Sequence, residues 1–119
     1  MRFNKLRVFL VEDDSLIAML VEDMLEELGC ELVATAQRVA DALQLLPSIN
    51  PDFALLDVSL AGERVFPVAA ALATANIPFA FTTGYGGDGL PAEFKSRPVI
   101  TKPFQLRQLA DIMSSAVEC

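Results

Sequence analysis

The chain has 119 residues, of which 53% are hydrophobic, and its formal net charge is −7. This length fits one domain that can bury roughly two thirds of its unfolded surface, and the negative charge argues against non-specific binding to nucleic acid or to anionic membrane surfaces. The absence of histidine excludes histidine general-base catalysis, histidine-ligated zinc and a phosphohistidine on this chain.

The sequence carries no sign of export or membrane insertion. Cys30 and Cys119 lack metal-site spacing, and no secretory signal opens the chain. No apolar run reaches the roughly 20 residues that span a bilayer. We therefore expect a reduced, cytoplasmic protein.

Short apolar runs alternate with longer segments of helical period. This pattern predicts βαβ units and a doubly wound parallel sheet in one α/β domain. The predicted strands are Leu6–Val11, Glu31–Ala36, Phe53–Leu56, Phe79–Thr82 and Pro98–Thr101.

Helical periodicity and capping residues predict helices at about Leu16–Leu28, Val39–Leu46 and Arg64–Thr74, with a last helix after Pro103. Asp14 or Ser15 can cap the first helix, and Gly29 suits the positive φ that follows its end. We expect the second helix to stop before Pro47, whereas Pro67 is tolerable in the first turn of the third.

The segment between Thr83 and Pro98 holds four of the six glycines and a proline. Each interior glycine costs a helix about 1 kcal/mol, and proline costs more. We expect a mobile loop there with at most one helical turn.

Polar side chains follow four of the predicted strands. Glu12 and Asp13 follow the first strand, Asp57 the third, Thr83 the fourth and Lys102 the fifth. In an open parallel sheet, ligands bind outside the carboxyl ends of the strands, so these residues should converge on one crevice. Three acids, a hydroxyl and an ammonium suit a divalent cation together with a phosphoryl group.

Each of these residues also has a purely structural interpretation. Acids between a strand and a helix are commonly N-caps, Thr83 is a good strand residue, and Lys102 alone could be a solvated surface lysine. Asp57 is harder to explain in this way, because an acid closing a buried strand is costly unless paired or metal-bound. Their joint occurrence at four strand ends favours a functional site.

The donor set matches the preferences of Mg²⁺, which takes six oxygens and is usually held by one or two carboxylates plus phosphate oxygens. Asp13 and Asp57 can bind directly, Glu12 can act through water, and the backbone carbonyl of Ser59 can complete the protein ligands. The Asp57 carboxylate can form an acyl phosphate. Mg²⁺, Lys102 and the Thr83 hydroxyl would then stabilise the transferring group.

The motifs VFLVEDD, FALLDVSL, FAFTTGYG and VITKPF together resemble the receiver domain of two-component response regulators, over essentially the whole chain. The resemblance implies a flavodoxin-like five-stranded sheet in the order 2-1-3-4-5, and one receiver domain over residues 1–119 without an output domain. It makes Glu12 and Asp13 the acid pair, Asp57 the phosphoacceptor and Thr83 the switch hydroxyl. Lys102 becomes the phosphate-facing lysine, followed by a cis proline.

The chain departs from the common receiver pattern at two places. Val99 stands where many receivers carry an aromatic switch residue, and Ala61-Gly62 replaces the usual Pro-Gly. FTTGYG, GERVFPVAAAL and RPVITKPF resemble the FATGUY subclass, although Thr82 stands where that name has alanine. This subclass comprises single-domain receivers associated with HWE-type histidine kinases, and implies a short or disordered fourth helix.

The resemblance implies a signalling phosphoprotein rather than an enzyme. Its phosphoryl donor would be a sensor histidine kinase or a phosphotransfer protein. The phosphorylated chain would either signal to an unknown downstream protein or serve as a phosphate sink. Two alternatives stay open. A haloacid-dehalogenase-like phosphatase also uses an aspartyl phosphate and Mg²⁺, but it looks for Asp-x-Asp on the first strand, whereas Asp57 lies on the third and is followed by Ser59. A receiver-like interaction module would bind its partner without phosphorylation.

Overall fold

The computed structural model describes residues 3–84 and 89–117. Its strands are β1 (Arg7–Val11), β2 (Glu31–Ala36), β3 (Phe53–Asp57), β4 (Ser59–Leu60), β5 (Glu63–Arg64), β6 (Phe79–Thr83) and β7 (Val99–Thr101). The main sheet is parallel, in the order β2-β1-β3-β6-β7. This confirms the predicted order, because β6 and β7 are its fourth and fifth strands.

The helices of the described residues are α1 (Ser15–Glu27), α2 (Val39–Ile49), α3 (Phe66–Thr74) and α4 (Leu106–Val117). Asp14 is the N-cap of α1, and its Oδ1 accepts hydrogen bonds from the backbone N–H groups of Leu16 at 2.9 Å and Ile17 at 3.2 Å. Gly29 follows the helix with φ of 84°. Both features agree with the sequence analysis, which left open whether Asp14 or Ser15 was the cap.

The predicted end of α2 was wrong. The helix continues through Pro47 to Ile49, although an interior proline costs about 3 kcal/mol. Ile49 packs against the core, and the Arg7 guanidinium donates to the backbone carbonyls of Ile49 and Asn50. Burial and these hydrogen bonds to the terminal carbonyls offset the cost of the proline.

The predicted start of α3 was also wrong. Glu63 and Arg64 do not begin a helix but form β5, which pairs antiparallel with β4. Ala61 and Gly62 make the turn between the two strands, with φ of 48° and 87°. The helix begins at Phe66, and Pro67 lies in its first turn as expected.

The segment after β6 contains one turn of 3-10 helix, Ala92–Phe94, among its described residues; the predicted mobile loop falls partly on residues 85–88, which lie outside them. Phe94 is 3% exposed. Its ring centroid lies 5.9 Å from that of Phe66, 5.8 Å from Phe81 and 6.2 Å from Phe79. These four rings, the phenylalanine cluster, fix this turn to the sheet.

The sheet is buried on both faces, because consecutive strand residues point to opposite sides. Phe9 and Val11 of β1 pack with α2 and α3 in one core, whereas Val8 and Leu10 pack with α1 and α4 in the other. This is the doubly wound arrangement predicted from the sequence. No helix within the described residues is long and apolar enough to cross a membrane.

Replacing Phe94 with alanine should lower the free energy of unfolding by about 3–5 kcal/mol, because it leaves a cavity among three other aromatic rings. Denaturant unfolding followed by circular dichroism measures the change. Glu93→Ala, an exposed neighbour, is the control and should change the stability by no more than about 0.5 kcal/mol. Equal effects of the two substitutions would show that the ring contacts contribute little.

Candidate functional site

The carboxyl end of β1 places two acids at the edge of the sheet. Glu12 directly follows the strand and is 4% exposed, and its backbone N–H donates to the carbonyl of Ala36 at 3.0 Å. Asp13 comes next and is exposed. Because Asp14 alone caps α1, Glu12 and Asp13 are not needed as caps.

Asp57 closes β3 and is 6% exposed. Its Oδ2 lies 3.2 Å from Lys102 Nζ, and its Oδ1 accepts a hydrogen bond from the backbone N–H of Ser59 at 3.3 Å. Lys102 Nζ also lies 3.3 Å from Oε1 of Glu12. One ammonium therefore bridges two buried carboxylates that come from different strands.

The three acids form a tight cluster. Carboxylate oxygens of Glu12, Asp13 and Asp57 lie within 4.8 Å of one another. Burial, reinforced by a side-chain hydrogen bond and charge repulsion from Asp57, raises the pKa of Glu12 to about 7. The fold therefore holds negative charge here at a cost, as sites for cations do.

Lys102 supplies the positive charge at the centre of this cluster. Burial acts to lower its pKa, but the neighbouring charges of Asp57 and Glu12 outweigh burial and raise it. The lysine is thus held protonated. The peptide bond from Lys102 to Pro103 is cis, as the resemblance to receiver domains implied.

Asp13 contacts the hairpin formed by β4 and β5. Its Oδ2 accepts a hydrogen bond from the backbone N–H of Ala61 at 2.7 Å. Burial acts to raise the pKa of Asp13, but this hydrogen bond and others outweigh it and lower the pKa. This contact was not predicted from the sequence, although the Ala61-Gly62 pair is a signal that could have revealed a hairpin turn.

Thr83 ends β6 and is 7% exposed. Its backbone carbonyl accepts a hydrogen bond from the N–H of Lys102 at 2.8 Å, which fixes the start of the turn that carries the lysine. Val99, at the position of the usual aromatic switch residue, lies on β7 and packs against the same core as the phenylalanine cluster. The structure therefore brings together the five polar residues predicted at the strand ends, namely Glu12, Asp13, Asp57, Thr83 and Lys102.

The residues present fit a magnesium ion. Three carboxylates from two strand ends offer hard oxygen donors within one small region, and the backbone of Ser59 lies two residues beyond Asp57. A site with oxygen donors only, without histidine or cysteine, suits Mg²⁺ better than it suits softer metals. Two of the carboxylates are buried, and Lys102 balances only part of their charge.

Comparison with known proteins gave concordant results. A family model described as the response regulator receiver domain matches residues 8–114. The solution structure of SdrG from Sphingomonas melonis Fr1 shows 41% identity and a TM-score of 0.86, covering 98% of this chain and 99% of that one. A BeF3-activated conformation of SdrG from Pseudomonas melonis Fr1 shows 40% identity and a TM-score of 0.82, covering 95% and 97%.

A curated relative is similar over a shorter share of its own length. The phyllosphere-induced regulator PhyR of Methylorubrum extorquens is 30% identical over 115 residues, which cover 92% of this chain and 43% of that protein. The chain spans about half the length of the curated relatives that it matches.

In the absence of divalent cations, the melting temperature should fall as the pH rises from 4.5 to about 7. The pKa of Glu12 is raised from its ordinary value of 4.5 to about 7 in the folded protein, so the folded state binds more protons than the unfolded state over this range. Its contribution to stability is present below pH 4.5 and is lost as the pH rises, by at most about 3 kcal/mol.

Calorimetry in EDTA at a series of pH values measures this slope. Glu12→Gln should flatten it, whereas Glu22→Gln, an exposed control on α1, should leave it in place. A slope that survives in Glu12→Gln would assign the titration to another group.

Proposed function

The chain belongs to the response regulator receiver domain family, and we propose that it accepts a phosphoryl group onto Asp57 in the presence of Mg²⁺. The main support for this proposal is that three carboxylates and one ammonium converge at the carboxyl edge of the sheet. The BeF3-activated state of a similar protein supports the proposal, because beryllofluoride imitates a phosphoryl group on a carboxylate.

Asp57 is the acceptor that the contacts favour. A carboxylate is a weak nucleophile that forms an acyl phosphate when the charge of the incoming group is neutralised. Oδ2 of Asp57 contacts Lys102, and Oδ1 contacts the Ser59 amide. These contacts hold the carboxylate in one orientation at the mouth of a cleft that also includes Thr83.

Glu12, Asp13, Asp57 and the backbone carbonyl of Ser59 would hold the Mg²⁺ ion. When bound, the ion would neutralise charge on the phosphoryl oxygens and on the acid cluster. Glu12, which is buried and shares its ammonium with Asp57, would contribute through a water molecule.

Lys102 and Thr83 would complete the site as donors to the phosphoryl group. Lys102 Nζ already lies within 3.3 Å of two carboxylates, so it can exchange one of them for a phosphoryl oxygen with a small movement. The Thr83 hydroxyl would donate to another oxygen, and its position at the end of β6 would couple the phosphoryl group to the segment that follows.

The phosphoryl donor in this proposal is a sensor histidine kinase, including the HWE type, or a phosphotransfer protein. The FTTGYG and GERVFPVAAAL motifs and the similarity to SdrG support a FATGUY receiver that acts in the cytoplasm as a single domain. Output would pass through contact with another protein, or the chain would drain phosphoryl groups as a sink. The phosphoryl group would leave by hydrolysis, so the chain acts as a phosphorelay component and not as a turnover enzyme.

Purified protein incubated with Mg²⁺ and acetyl phosphate should gain one phosphoryl group in its intact mass. Asp57→Asn should gain none, because an amide is a poor nucleophile and a weaker metal ligand. Asp41→Asn, an exposed control on α2, should be labelled like the wild type. Labelling that persists in Asp57→Asn would show that Asp57 is not the phosphoacceptor. An unlabelled wild type would favour a phosphorylation-independent interaction module.

Mg²⁺ should raise the melting temperature, because it binds the folded state and relieves repulsion among the clustered carboxylates. At ten times its dissociation constant, the stabilisation is about 1.4 kcal/mol. Asp13→Asn should abolish most of this rise, whereas Asp23→Asn on the exposed face of α1 should retain it. An undiminished rise in Asp13→Asn would place the metal elsewhere.

A further inference from the structure

We propose that Arg64 is a second phosphoryl-binding cation of this site and donates its guanidinium N–H groups to the oxygens of the group on Asp57. This inference rests on the function proposed above and adds a residue that the sequence analysis had assigned to the start of a helix. The hairpin of β4 and β5 brings Arg64 back towards Asp57.

Strand register places Arg64 beside the residues that follow Asp57. Ser59 of β4 pairs with Arg64 of β5, and directly opposite residues of an antiparallel pair project from the same face. Both residues line a cleft of about 540 Å³ whose walls also include Asp57, Thr83 and Lys102.

The composition of this cleft fits an anion. Four of its lining residues carry potential donors, namely the Ser59 and Thr83 hydroxyls, the Arg64 guanidinium and the Lys102 ammonium, and they share the cleft with Asp57. Glu12 and Asp13, the remaining acids of the cluster, are not among the lining residues. The side of Asp57 that faces this cleft therefore carries fewer acids than the side that faces Glu12 and Asp13.

The hairpin that carries Arg64 is held in place at both ends. Ala61 and Gly62 adopt positive φ values of 48° and 87°, and the Ala61 N–H donates to Asp13 at 2.7 Å. At the open end, the N–H of Val65 donates to the carbonyl of Val58 at 3.0 Å. These contacts fix the backbone from which the Arg64 side chain projects, so only the side chain has to be ordered when the phosphoryl group arrives.

The charges of the loaded site balance only if a second cation is present. With Asp57 converted to an acyl phosphate, the phosphoryl group carries about two negative charges, and Glu12 and Asp13 supply one each when ionised. Mg²⁺ and Lys102 together supply three positive charges. Arg64 would neutralise the one negative charge that is left.

Arg64 is available for this role. No carboxylate in residues 3–84 and 89–117 lies within 4.0 Å of its guanidinium, and its side chain is exposed at the cleft. Arginine also presents a planar set of donors that matches phosphate oxygens in a bidentate arrangement, whereas lysine provides a point charge.

Arg64 takes no part in proton transfer. An oxygen of Asp57 forms a bond to phosphorus while the bond from phosphorus to the acetate oxygen of acetyl phosphate breaks, and acetate leaves with the bonding electrons. Arg64 stays protonated throughout and stabilises the charge on the phosphoryl oxygens.

Titration with beryllofluoride at saturating Mg²⁺, followed by fluorine NMR, tests this role without relying on activity. Arg64→Ala should weaken beryllofluoride binding by about tenfold, the size expected for one charge-assisted hydrogen bond at a partly solvated site. Arg64→Lys should recover part of the loss, and Arg64→Gln should not. Arg107→Ala, an exposed arginine on α4, is the charge-matched control and should bind like the wild type.

Mg²⁺ affinity measured without beryllofluoride separates this role from a structural one. Removing a nearby positive charge should leave Mg²⁺ binding unchanged or tighter, whereas a distorted hairpin would weaken it through Asp13. Three results would each overturn the inference. They are weaker Mg²⁺ binding in the Arg64 variants, unchanged beryllofluoride binding in Arg64→Ala, and a loss of beryllofluoride binding in Arg107→Ala equal to that in Arg64→Ala. Acetyl phosphate labelling of the wild type tests a different claim. If Asp57 is not labelled, the proposed function itself is refuted, and not only the role of Arg64.

Discussion

The contact of one lysine ammonium with two buried carboxylates is the interaction on which the rest of the site depends. Lys102 lies within 3.3 Å of both Glu12 and Asp57, and a third acid, Asp13, lies beside them. Burying charge costs free energy that a single lysine offsets only in part. The apolar cores on the two faces of the sheet must supply the stability that burying this cluster costs. The raised pKa of Glu12 shows that its charged form stays destabilised in the folded protein. A divalent cation is a ligand of the kind that such an excess of negative charge favours.

The hairpin after β3 connects this charged cluster to the part of the molecule that could carry a signal. Its turn is bonded to Asp13, and α3 begins only two residues after Arg64. The first residue of α3, Phe66, contacts Phe81 on β6 and Phe94 on the 3-10 turn. A change at Asp57 can therefore reach the surface around this turn through packed rings, since β7 carries Val99 in place of an aromatic switch residue. Packed contacts of this kind transmit a change only if they have two discrete arrangements.

Most of the fold could be predicted from local patterns. The main-sheet strands were located to within one residue at each end, because each is an apolar run bounded by turn residues or by the polar groups of the site. The predictions failed where a tertiary contact overrode local preference. Pro47 indicated a helix end, but packing of Ile49 and the hydrogen bonds from Arg7 extended the helix beyond it. Arg64 fitted a helix start, but pairing with Ser59 placed it in a strand.

The amino-acid sequence is enough to tell which side chains meet at the carboxyl edge, since parallel strands bring their carboxyl ends to one side of a sheet wherever they lie in the chain. Glu12, Asp57 and Lys102 could thus be grouped without coordinates. Their contacts with one another became visible only in the folded chain: the ammonium bridges Glu12 and Asp57, Asp13 supports a turn, and a second cation, Arg64, borders the same cleft. Distances across a crevice depend on sheet register, twist and side-chain burial, and these are set by long-range packing that no local pattern encodes.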